Sequence, residues 1–183
     1  MGGTEGSNLL SSSAESANYQ FRSRQAASAV FPNRSTRFTS PNLASAHRVF
    51  GATLIFSGHP REGLVALERS IRLDPHAADL AAQGYRLNTL ALGHYFCGEY
   101  EAAVEAAKRA IRSDPNYPNA YRWLAAALGQ LGRSAEAKEA LEKAMAVGPV
   151  SFDMYVRQRV PWHRPEDYAH MREGLRKAGW RGT

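Results

Sequence analysis

One pattern of small, apolar and helix-stopping residues is written twice between Gly84 and Pro149. The copies lie 34 residues apart: Gly98, Ala103, Ala110 and Pro115 fall on Gly132, Ala137, Ala144 and Pro149. Upstream the same pattern reads Gly58, Gly63, Ser70 and Pro75, 40 residues before its next occurrence, so a third copy carries six extra residues behind it. Self-similarity at such a period is the signature of a stacked array, in which each unit buries its apolar face only against its neighbours.

If each copy is two antiparallel helices joined by a tight turn, every repeated position has a job. Counting the copies from Ala44, Gly84 and Pro118, position 8 is Gly51, Ala91 and Ala125, and position 20 is Gly63, Ala103 and Ala137. Position 27 is Ser70, Ala110 and Ala144. These small side chains let helix backbones approach, while bulky residues at helical spacing fill the gaps: Phe50, Leu90 and Leu124 at position 7, with Ile71, Ile111 and Met145 at position 28. Position 15 is glycine each time, as a chain leaving a helix with positive φ requires. Position 32 is proline each time, which stops the second helix.

The period and the small-small-proline signature resemble the tetratricopeptide repeat, with Tyr121, Leu124, Ala125 and Leu128 standing where that family's first-helix motif lies. The resemblance implies an all-α, right-handed superhelix of three helix-turn-helix repeats, over 44–77, 84–117 and 118–151, followed by a C-terminal capping helix. A narrower likeness covers about Ala44 to Trp180. The repeats, followed by PED and a closing LRKAGW, are similar to the C-terminal repeat region of some bacterial class III adenylate/guanylate cyclases. That likeness implies a regulatory or interaction segment, with no catalytic cyclase domain among these residues.

In chain order, residues 1–39 are serine-rich and without aliphatic periodicity, and are expected to form a disordered arm or linker. The stretch from Tyr19 to Phe38 bears arginine and no acid, like a transit peptide, but the linker reading is preferred. Ser40-Pro41 reads as an N-cap followed by proline at the first helical position. Helices are expected over about 41–57, 60–73, 78–96, 100–113, 117–129 and 135–147, so that the repeat array fills 40–149. The segment 150–183 is expected to cap it. Val150 to Val160 is apolar and aromatic, and Pro165 opens a last helix on which Tyr168, Met171 and Leu175 share a face, with Gly179-Trp180 as its stop.

Composition excludes more than it assigns. The formal charge of +6 is carried by the flanks, because Ala44 to Pro149 holds 12 basic and 11 acidic residues. Lys108, Arg109 and Arg112 cluster on one helix, but acids interleave them and no aromatic platform adjoins, which argues against nucleic acid. No apolar stretch approaches the roughly 20 residues of a membrane span. A single cysteine, Cys97, rules out an internal disulfide framework and suits a reducing, cytoplasmic compartment.

His94 and Cys97 are i and i+3, yet position 11 is read as a packing slot, and no histidine pair has metal spacing. No nucleophile elbow is present, and each glycine is accounted for by a turn or a helix contact, so no enzyme, metal or cofactor is expected.

What remains is the concave face. First helices line the inside of such a superhelix, and positions 2, 5, 9, 12 and 13 should point into it. Position 5 is Arg48, Asn88 and Arg122. Beside them stand Tyr85, Tyr95, Phe96, Asn119 and Gln130, aromatic area mixed with hydrogen-bonding groups and suited to an extended peptide or helix. The arginines are similar to the carboxylate-clamp version of the family, which grips a peptide's C-terminal carboxylate, although Ala52 and Ala126 occupy position 9, where that version has asparagine in its first repeat. The expected function is a protein-interaction scaffold. The alternatives are a non-catalytic piece of a cyclase system and self-association through the edge of the first repeat.

Overall fold

The computed structural model describes residues 41–75, 80–158 and 164–182. The expected arm over 1–39, the Ser40 cap, residues 78–79 of the third helix and the stretch 159–163 lie outside the described residues. Eight helices follow one another, and no strand occurs among the described residues. They are α1 (Pro41–Phe56), α2 (Pro60–Leu73), α3 (Leu80–Phe96), α4 (Tyr100–Ser113), α5 (Pro118–Gln130), α6 (Ser134–Val147), α7 (Pro149–Val156) and α8 (Pro165–Lys177). The first six pack as three hairpins, and α2 lies on α3 as α4 lies on α5, which makes the array an α-solenoid.

The hairpin turns show why position 15 is invariant within the chain. Gly58, Gly98 and Gly132 have φ of 87°, 77° and 71°, a conformation that disfavours any residue with a β-carbon. Each turn then closes the same way, the next residue's amide donating to the carbonyl at position 11: His59 to Leu54 at 2.8 Å, Glu99 to His94 at 2.9 Å and Arg133 to Leu128 at 3.0 Å. At the other end of each hairpin the residue before the proline donates to position 27: Asp74 to Ser70, Asp114 to Ala110 and Gly148 to Ala144.

The seams are lined as the pattern dictates. Ala91, Ala103, Ala110, Ala125, Ala137 and Ala144 are all fully buried. In the first repeat, Ser70 spends its hydroxyl on the carbonyl of Ala44 at 2.7 Å, so a polar side chain fits the same seam without an unmet bond. Position 7 tracks the stacking. Leu90 and Leu124 are buried in the second and third copies, whereas Phe50 is 48 % exposed in the first.

Beyond Pro149 the repeat gives way to two different pieces. The short helix α7 rests on α5 and α6 through Phe152 and Val156, leaving Val150 80 % exposed. Helix α8 packs chiefly along α5, burying Met171 and Leu175 completely. Its N-terminal Arg164 is bound by Asp167 through two hydrogen bonds of 2.7 and 2.8 Å, and the guanidinium lies against Gly58, in the turn of the first hairpin. Gly179, at φ 100°, ends α8 and lets Trp180 fold back onto Phe152, ring centroids 6.4 Å apart. No helix among the described residues is long and apolar enough to cross a membrane.

Candidate functional site

The concave positions divide into two sets. Tyr95 and Gln130 meet α8, and Phe96, partly buried beside His170, also borders a shallow cleft at the Gly58 turn. Tyr95 is wholly buried, its hydroxyl donates to the carbonyl of His170 at 2.8 Å, and it receives Gln130 Nε2 at 3.3 Å. Burial pushes its phenol well above the ordinary tyrosine range. The rings of Tyr95 and His170 lie 4.5 Å apart, and Phe96 packs on Trp123 at 5.5 Å. Gln130 Oε1 accepts from Lys177 Nζ at 2.7 Å. The sequence expectation that Tyr95 lines a partner groove is therefore corrected: this chain's own last helix lies on that stretch.

Two glycines permit the fit. A β-carbon on Gly129 would fall on the carbonyl oxygen of Gly174, and one on Gly174 would lie 2.7 Å from the carbonyl oxygen of Ala126. Positions 9 and 12 of the third repeat are thus consumed by a backbone-to-backbone approach.

The second set stays together in an open cleft of about 330 Å³. It is lined by Phe56 from α1, by Tyr85, Asn88, Thr89 and Leu92 from α3, by Tyr117, Asn119, Arg122 and Trp123, and by Tyr155 from α7. Arg48 stands at the rim with its guanidinium 5.3 Å from the centre of the Tyr85 ring. Asn119 accepts a hydrogen bond from Ser151 at 3.3 Å. Five of the eight residues singled out by position thus meet here.

Arg122 dominates the electrostatics. It is 3 % exposed, forms no ion pair among the described residues, and its Nε and Nη1 have no hydrogen-bond partner there. Its guanidinium is flanked by the Tyr155 ring at 4.3 Å and the Trp123 ring at 5.1 Å. Burial brings its pKa down to about 10, against a small opposing effect of Tyr155 and Tyr117, so it stays charged at neutral pH. Asn88, also buried, has an Oδ1 without a partner. Among the described residues, no acidic side chain lines the cleft.

Tyr155 was not signalled by the repeat, because its helix falls where the register lapses; the only hint was the aromatic, apolar run after Pro149. His94 also departs from the sequence reading. It is partly exposed, and its Nδ1 lies 2.8 Å from Glu99 Oε2, so it serves the hairpin turn and not the packed seam.

Residues 94–132 match the family profile described as TPR repeat, and residues 118–147 match that described as tetratricopeptide repeat. No curated protein matches the chain in sequence. Among solved structures, it is similar to the TPR2AB domain of yeast Sti1 in its complex with pHSP90, at a TM-score of 0.55 and 18 % identity. The likeness covers 96 % of this chain and 57 % of that one, and at this identity it speaks for the fold alone. Tetratricopeptide-repeat profiles are thus matched between residues 94 and 147, and the hairpins of that stretch stack with the rest in an α-solenoid.

Proposed function

We propose that this chain is an interaction scaffold that holds a peptide or helix of another protein on the uncovered part of its concave face. The observation that carries the reading is Arg122, a buried cation with no counter-charge among the described residues, in a cleft walled by aromatic rings. Unpaired buried charge costs several kcal/mol by order of magnitude. A fold that retains one at the floor of an accessible cleft is complementary to something anionic. Tyr85 and Arg48 at the rim add the amphipathic contact area that peptide grooves use. A cytoplasmic setting agrees with the lone, unpaired Cys97.

The test is selection of a random peptide display library against the full chain. Binders that compete with one another, and that are lost in an Arg48→Glu, Tyr85→Ala double variant of unchanged melting temperature, are the expected result. Selection of no peptide, or of peptides indifferent to that variant, ends the proposal.

A further inference from the structure

The three copies of the repeat differ on one face of their first helix. Positions 3, 6, 7 and 10 have the spacing that puts side chains on a single helical stripe. In the second copy they are Arg86, Thr89, Leu90 and Gly93, in the third Ala120, Trp123, Leu124 and Ala127, and all of these are buried. In the first copy they are Ala46, Val49, Phe50 and Thr53, and all of those are exposed. The cause is stacking, because this stripe is what each internal hairpin lays on the one before it. Arg86 donates to the carbonyl of Asp74 at 2.9 Å, at the end of α2, and a β-carbon on Gly93 would lie 2.7 Å from the side chain of Leu64. Among the described residues nothing covers the same stripe on α1.

The two ends of the array decide what fits there. Head-to-tail stacking of copies would repeat the internal contact, but position 21 is Leu64 and Val104 in the first two hairpins and Lys138 in the third, its side chain 73 % exposed. The trailing end therefore sets a charge where Thr53 would have to dock. The leading stripe suits its own copy better. It carries no charge, α1 has no acidic residue, and Arg48 is held over the Tyr85 ring of the same chain. Thr53 Oγ1 already donates to the carbonyl of Val49 at 3.0 Å, so its hydroxyl asks nothing of a partner. Two such stripes run antiparallel about a two-fold axis would set Val49 against Phe50 in the centre and Ala46 against Thr53 at the ends, with the helix dipoles opposed.

We infer that two copies of this chain pair through their first hairpins, the Ala46, Val49, Phe50 and Thr53 stripes of α1 packing antiparallel across a two-fold axis. Pairing of this kind uses the same surface on both partners, so it closes at two copies and does not propagate. Its occupant is another molecule of the same sequence, and it stands or falls independently of what the Arg122 cleft binds.

Sedimentation velocity of the full chain over a concentration series is expected to show a reversible monomer–dimer equilibrium, with a dissociation constant on the order of tens of micromolar for an interface one helix wide. Phe50→Glu should weaken it by about tenfold or more, the scale of losing a central aromatic contact, while the melting temperature at high dilution stays near that of the parent. Val150→Glu, at the trailing end, should leave the equilibrium unchanged. In a Cys97→Ser background, a mixture of the Ala46→Cys and Thr53→Cys variants should oxidise to a disulfide-linked pair in better yield than either variant alone, because only the mixture brings the two positions face to face. A chain that stays monomeric up to about 1 mM overturns the inference, as do dimers indifferent to Phe50→Glu. Assemblies larger than dimers that are lost in Val150→Glu overturn it in favour of head-to-tail stacking, and equal cross-linking by the single variants and the mixture overturns the antiparallel pairing on which it rests.

Discussion

Gly129 of α5 and Gly174 of α8 meet so closely that a methyl group on the first would land on the carbonyl oxygen of the second. Neither glycine makes a turn; both sit inside helices, where glycine is normally disfavoured by about 1 kcal/mol relative to alanine. What they gain is contact distance, and α8 is seated through it. Gly129→Ala should therefore destabilise the chain by about 2 kcal/mol despite its better helix propensity, the overpacking term winning. Urea melts would give the magnitude. Hydrogen exchange would show the loss of protection concentrated in 165–177, and equal protection there would contradict the seating described.

Tyr95→Phe keeps the ring among Phe96, Trp123 and His170 and removes only the hydroxyl that donates to the His170 carbonyl. The carbonyl then has no side-chain donor, and a loss of about 1–2 kcal/mol is expected. Because the ring stays, the denaturant slope should not change while the midpoint falls.

His170 makes the same contact sensitive to acid. Burial depresses its pKa below the usual 6.5, outweighing the nearby Glu173 and Asp167, while its Nε2 lies 3.0 Å from the Tyr100 hydroxyl. The unfolded chain therefore binds this proton at a higher pH than the folded chain does, so stability falls as pH drops below about 6.5 and levels off beneath the folded value. His47, depressed by burial and by Arg69, acts in the same direction. Urea midpoints between pH 7.5 and 5 should decline, and His170→Gln should flatten part of that decline. An unchanged slope in the variant would remove His170 as a cause.

Arg122→Met exchanges a buried, uncompensated cation for an apolar side chain of similar length. The lost interactions with Trp123 and Tyr155 are worth about 1–2 kcal/mol in a desolvated setting. The relieved burial of charge is worth more, so the variant should be more stable by about 1 kcal/mol in the absence of ligand. Thermal denaturation of the two proteins side by side decides the sign; a clear drop in melting temperature would mean that the fold itself depends on the charge.

The repeated hairpins were legible because their causes are local. A glycine at a left-handed turn, a proline behind the second helix and alanines at the seam each act within one 34-residue unit, and three copies reinforce one another. Tyr95 was misread for the opposite reason. Position 12 does face the concave side, but what lies on it is set by a helix 75 residues away in sequence, and periodicity carries no information about that distance. The signal that could have found it was Gly129, a glycine at the same position inside the third repeat's first helix, which implies a close approach. Tyr155 had no such signal. It belongs to the cleft only because α7 folds back along α5, after the pattern has ended.

Arg164, resting on the Gly58 turn, changes how the molecule should come apart. A simple array frays from its ends inward, each unit answering only to the next. Here Arg164, which caps the last helix, touches the first hairpin at Gly58, while the helix meets the second at Tyr95 and the third along α5, so one segment is a strut shared by every storey. Such bracing couples the ends to the middle, and loss of the strut weakens the whole tower at once.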